Sequence, residues 1–229
     1  MINLNYIKNQ KINEIEVIKI LFYTFPLWFI LGNLAVSLHT LIFIVISLFV
    51  IKKKQLKLRF NNSCWLLVAF FLYFFLSTTI QFLNPGILND QLQHLSLESN
   101  PIFKSFLLGR FIILIIVIDI LFFNKILELK KLLLFSLICT TFVSIDVIMQ
   151  YITGYDIFGF ESLYTWNSGP FGEEKIASTY LKNFSFLSFF YIFAFFKKKQ
   201  VKSLIPILLV LLHILGIFLA GNRMPLILF

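Results

Sequence analysis

Polar and apolar residues in this chain are sorted into long blocks and do not alternate. Apolar runs at about 17–31, 34–51, 63–83, 104–123, 131–152, 175–196 and 203–220 are separated by short polar stretches. A helix needs about 20 apolar residues to cross the hydrocarbon core of a bilayer. The pattern therefore predicts an all-α fold, a polytopic transmembrane helix bundle of about seven spans in one transmembrane domain over 1–229. Gly32-Asn33 reads as a tight turn between the first two runs. A signal peptide cut near Ala35 could mimic the first run, but the second run follows with no polar mature start. Met224–Phe229 is apolar and too short to cross, so the chain is expected to be an N-terminal fragment that stops at the start of an eighth span. No internal repeat and no soluble domain is visible.

Composition agrees with the pattern. Hydrophobic residues make up 59% and charged residues 14%, against about 25% charged in a soluble domain. The net charge of +9 does not point to nucleic acid, because the basic residues lie between apolar runs, where they orient spans. With the N-terminus inside, the inner segments hold Lys8, Lys11 and Lys19, five basic residues in 52–59, three in 125–131 and four in 197–202. Lys104, Arg110, Lys175, Lys182 and Arg223 are the other five of the twenty. Loops 84–103 and 153–174 then face outward, to the periplasm or cell exterior, and the chain reads as a multi-pass membrane protein with a cytoplasmic N-terminus. Cys64 and Cys139 each fall inside a run, and no His/Cys cluster is present, so neither a disulfide nor a metal site is expected.

Charge inside a span is costly and marks a candidate site. Arg110, Asp146 and Lys182 each fall six or seven residues from the outer end of their runs, which at 1.5 Å per residue is a depth of about 9–10 Å. Asp146 is expected to pair with Arg110, Lys182 or both. His39, Gln81, Gln150, Asp156, Glu173 and Glu174 share this outer layer, while the inner half has Asp119 as its comparable group. The asymmetry suggests a polar recess open to the outer leaflet, with cations suited to a lipid-linked diphosphate. Blander readings stand beside this one. Arg110 and Lys182 can snorkel to headgroups, and Tyr155, Tyr164 and Trp166 suit interfacial anchors. His39 suits a hydrogen bond within the bundle, His213 a packed position within its span, and His94 a solvated loop. Gly169–Glu174 reads as a helix start, with Pro170 in the first turn and Glu173 and Glu174 at the positive end of the dipole.

The stretch from Asp146 to Leu181 is the least monotonous part of the chain. Asp146, Gln150, Tyr151, Gly154, Asp156, Phe158 and Gly159 form D-x-x-x-Q-Y…G-x-D-x-F-G, and Ser168, Gly169, Pro170, Phe171 and Glu174 form S-G-P-F-x-x-E. Gly221-Asn222-Arg223 follows as G-x-R. Over roughly 105–229 the chain resembles the O-antigen ligase and O-antigen polymerase family of bacterial integral membrane proteins. That resemblance implies a GT-C-type glycosyltransferase needing no metal or other cofactor. It would take an undecaprenyl-diphosphate-linked glycan at the periplasmic face and transfer it to lipid A–core or to a second lipid-linked glycan. It implies that Arg110 and Arg223 bind the diphosphate of the lipid carrier; Lys182, singled out by its depth, is the third candidate contact. Asp146, Gln150, Asp156 and Glu174 would be structural or site-orienting. The family's general-base histidine lies in a large later loop, which would fall beyond Phe229, so no catalytic residue is assigned here and this fragment is expected to be inactive. The other classes left open are a transporter or flippase and a membrane protein without catalysis. Membrane lipids are expected partners, and nucleic acid is not.

Overall fold

The computed structural model describes residues 14–58, 61–83, 101–162, 166–172, 174–196 and 204–221. These form an all-α protein, with no strand among the described residues beyond an isolated bridge between Tyr155 and Glu161. The helices are α1 (Glu14–Tyr23), α2 (Phe25–Ile30), α3 (Asn33–Lys53), α4 (Asn62–Leu83), α5 (Pro101–Phe123), α6 (Leu129–Thr153), α7 (Ala177–Tyr191) and α8 (Leu204–Leu219). A 3₁₀ turn covers Gly169–Phe171, and a π turn, Ile192–Phe196, continues α7. Each apolar run is mostly helical where it is described. By length and composition α3, α4, α5 and α6 are able to cross a membrane, whereas α8 is an apolar helix of 16 residues.

Two boundaries differ from the sequence expectation. The first run is broken between α1 and α2, because Pro26 at the start of α2 has no N–H to extend the ladder. Thr24 fills the break: its hydroxyl donates to the Ile20 carbonyl at 2.9 Å and accepts from Trp28 Nε1 at 3.2 Å. The second difference is at Gly169–Glu174, which does not open a helix. Gly169 and Gly172 have φ of +56° and +63°, so the backbone makes a 3₁₀ turn and leaves it. Helix α7 begins later, at Ala177, with no acidic residue in its first turn. Glu174 is exposed outside the helix.

The chain forms two compact units, divided inside α1 after Ile18 and inside α3 before Thr40. In the first unit (Met1–Ile18 and Thr40–Leu127), α4 packs on α5. Gly109 allows this approach, since a Cβ there would stand 3.1 Å from Phe71 Cζ. The Cys64 thiol lies 3.8 Å from Asp119 Oδ2. Asn124 ties the turn after α3 to the end of α5, accepting from Lys57 N–H at 3.3 Å and donating to its carbonyl at 3.1 Å.

The second unit (Lys19–His39 and Glu128–Phe229) is built on α6, which packs against α7 and α8, with α2 and the 3₁₀ turn also against it. Its core joins Val143 and Val147 of α6 to Tyr180 and Leu181 of α7 and Ile217 of α8. Small residues permit close contact, as expected where lipid gives helices no hydrophobic reason to associate. A Cβ on Gly216 would meet Ser144 Oγ at 3.0 Å and Leu181 Cδ1 at 3.1 Å. Buried hydroxyls run along the α6–α7 contact, where Thr140 Oγ1 and Ser188 Oγ are 2.9 Å apart. Buried His213 sets Nε2 3.4 Å from Thr141 Oγ1 and stacks on Phe189.

Candidate functional site

Among the described residues, the C-terminal end of α6 gathers a connected set of polar contacts. Asp146 and Gln150 stand one turn apart on the buried face of α6, and both are fully buried. Helix α6 ends at Gly154, whose φ of +84° reverses the chain and whose N–H returns to the Gln150 carbonyl at 2.9 Å. The loop then folds back over the helix end. Asp146 Oδ1 accepts the backbone N–H of Ile157 at 2.9 Å. Gln150 Nε2 donates to the Phe160 carbonyl at 3.2 Å and the Glu161 carbonyl at 3.4 Å, while its Oε1 accepts the Gly169 N–H at 2.8 Å. One carboxamide therefore clamps both arms of the loop.

Further contacts close the arrangement. Asp156 Oδ1 accepts the Phe160 N–H at 2.6 Å. Ser162 donates to Asn167 Oδ1 at 2.7 Å, and Asn167 Nδ2 donates to the Leu219 carbonyl at 2.7 Å, capping the end of α8. The Tyr180 hydroxyl of α7 donates to the Pro26 carbonyl of α2 at 3.0 Å. Lys175 places Nζ 3.2 Å from the ring centroid of Trp166, a cation–π contact. Among the described residues Asp146 Oδ2 and Asp156 Oδ2 are buried with no hydrogen-bond partner.

The sequence-nominated residues are distributed unevenly. Asp146, Gln150 and Asp156 come together in this clasp. The ion pair expected for Asp146 is not among those of the described residues, which are Lys53–Glu14 and Lys131–Glu128; its Oδ1 accepts the Ile157 amide instead. Lys182 lies in α7, half-buried. Arg110 belongs to the first unit, half-buried on α5, with its guanidinium 4.8 Å from the Phe111 ring centroid. Arg223 and Glu173 lie outside the described residues, as do Tyr164 and His94. His39 is buried, stacked at 4.8 Å on Trp28 and 5.3 Å from Phe25. Both cysteines are free, and the described residues hold no group of three His, Cys, Asp or Glu able to bind a metal.

Sequence reasoning missed Asn167, Ser162 and the buried hydroxyls of α6 and α7. A lone Asn or Ser in a polar loop gives no signal. The hydroxyls could have been found, because Ser136, Thr140 and Ser144 recur every four residues on one face of α6. No protein-family model, no curated protein and no solved structure matches this chain.

Proposed function

We propose that this is a multi-pass protein of a bacterial inner membrane, with its N-terminus in the cytoplasm. In this reading it handles a lipid-linked glycan at the outer face, as a glycosyltransferase of the O-antigen ligase or polymerase type. One observation carries the reading. The residues that bear the likeness to that family, Asp146, Gln150, Gly154, Asp156 and Gly169, form one hydrogen-bonded clasp at a single helix end. Spacing shared by chance would give no reason for these residues to interlock. The distribution of Lys and Arg supports an outward-facing position for this helix end, where an undecaprenyl-diphosphate glycan and its acceptor, lipid A–core or a second lipid-linked glycan, would meet. Arg110, Lys182 and Arg223 are the proposed diphosphate contacts, since Arg offers a planar fork for phosphate oxygens and Lys a point charge.

The test is genetic. Deleting the gene in its host should remove long surface glycan. The wild-type gene should restore it, and genes carrying Arg110→Ala or Arg223→Ala should not. Unchanged glycan after deletion overturns the proposal, and uptake of a labelled solute that depends on the protein would favour a transporter.

A further inference from the structure

The loop held by the clasp has its polar and apolar parts reversed relative to a loop built for water. Most of its backbone N–H groups are turned inward and bonded within the protein. The N–H groups of Asp156, Ile157, Gly159, Phe160 and Ser162 donate to the Phe160 carbonyl, Asp146 Oδ1, the Asp156 carbonyl, Asp156 Oδ1 and the Gly154 carbonyl. Its large side chains are turned outward: Tyr155, Ile157 and Phe158 are 51%, 52% and 62% exposed. The one charged group between Tyr151 and Phe160 is Asp156, which is 5% exposed and already accepts a loop amide.

A loop in water can leave amides to the solvent and presents polar side chains. A loop in a bilayer must satisfy its own backbone and present apolar ones. The patch is also continuous with the last turn of α6, where Tyr151 and Ile152 are 62% and 74% exposed. Helix α6 is long and apolar enough to cross a membrane, so that turn lies where the hydrocarbon meets the headgroups. We propose that the loop 155–160 is inserted in the bilayer interface, with Ile157 and Phe158 against lipid. The clasp from Asp146 and Gln150 is then what lets an irregular segment sit at that depth. The proposal depends on α6 crossing a membrane and not on the chemistry proposed above.

The test uses the full chain in phosphatidylcholine–phosphatidylglycerol vesicles. A nitroxide is attached at Phe158→Cys, at Ile157→Cys or at Glu161→Cys. The native cysteines are buried, and the unsubstituted chain gives the background. Labels at 157 and 158 should collide several-fold more often with oxygen, which concentrates in lipid, than with a water-soluble nickel chelate. The label at 161, on an exposed acidic position, should show the reverse preference. Nickel accessibility at 157 and 158 equal to that at 161 puts the loop in water and overturns the proposal. Protection of 157 and 158 from both reagents also overturns it, because a protein partner then covers the patch. If one of the two loop variants fails to fold, the other gives the same reading.

Discussion

Gly169 is where the returning loop meets α6 most tightly. Its φ is +56°, and a Cβ there would stand 2.8 Å from Val147 Cγ2. Gly159 shares the left-handed backbone, at +88°, but has nothing within 4 Å of the added atom. Alanine at either site meets the left-handed penalty of about 1–2 kcal/mol; at 169 the clash adds to it. Gly169→Ala is therefore expected to lower the thermal unfolding temperature in detergent clearly more than Gly159→Ala. Equal losses would show that Gly169 does not touch Val147. Gln150 poses a complementary question. Gln150→Leu leaves the Gly169 N–H and the Phe160 and Glu161 carbonyls without their shared partner. An unsatisfied buried polar group costs about 1–3 kcal/mol. The variant should lose stability on that scale, and limited proteolysis should cut first between 155 and 170.

The ends of α3 and α5 show how far local chemistry sets an element. Both helices stop on a non-glycine residue at positive φ, Gln55 at 46° and Lys125 at 57°. Each closes with the same pair of bonds. Leu56 N–H reaches the Ile51 carbonyl and Gln55 N–H the Lys52 carbonyl; Ile126 N–H reaches that of Leu121, and Lys125 N–H that of Phe122. This is the Schellman pattern, which favours glycine at the left-handed site. The left-handed penalty of about 1–2 kcal/mol exceeds the about 0.4–1 kcal/mol that glycine's freedom costs in the unfolded chain. Lys125→Gly should raise stability by up to about 1 kcal/mol, read as a higher unfolding temperature; a decrease would mean that the lysine side chain holds the turn. The helices themselves were legible in the sequence, because a bilayer sorts residues into long blocks. Their ends were less so. Pro26 was in plain view and breaks the first run. The start of α7 was hidden, since it depends on Gly169 and Gly172 adopting positive φ. Asp146 is conspicuous in the sequence as a carboxylate within an apolar run, and it is buried, but its partner cannot be read there. Counting depth along helices finds a cation at the same level and overlooks a loop amide eleven residues later that folds back onto the carboxylate.

At the scale of the molecule, the strongest sequence signal is the sidedness of its charge. Fifteen of the twenty Lys and Arg residues fall in segments that alternate spans assign to one side. The turn at Asn124–Glu128 and the loop at Gly154–Ser162 flank α6, so two labels separate two claims. Lys125→Cys and Glu161→Cys both place a thiol at an exposed position, over a background of two buried cysteines. If α6 crosses the membrane, an impermeant maleimide added to intact cells will label one variant and not the other, whatever the orientation. If basic segments stay inside, the labelled one will be Glu161→Cys, and Lys125→Cys will react only after permeabilisation. Equal labelling of both removes the crossing and with it the interfacial loop. Labelling of Lys125→Cys alone keeps the crossing but turns the clasp toward the cytoplasm, where a periplasmic glycan transfer has no place.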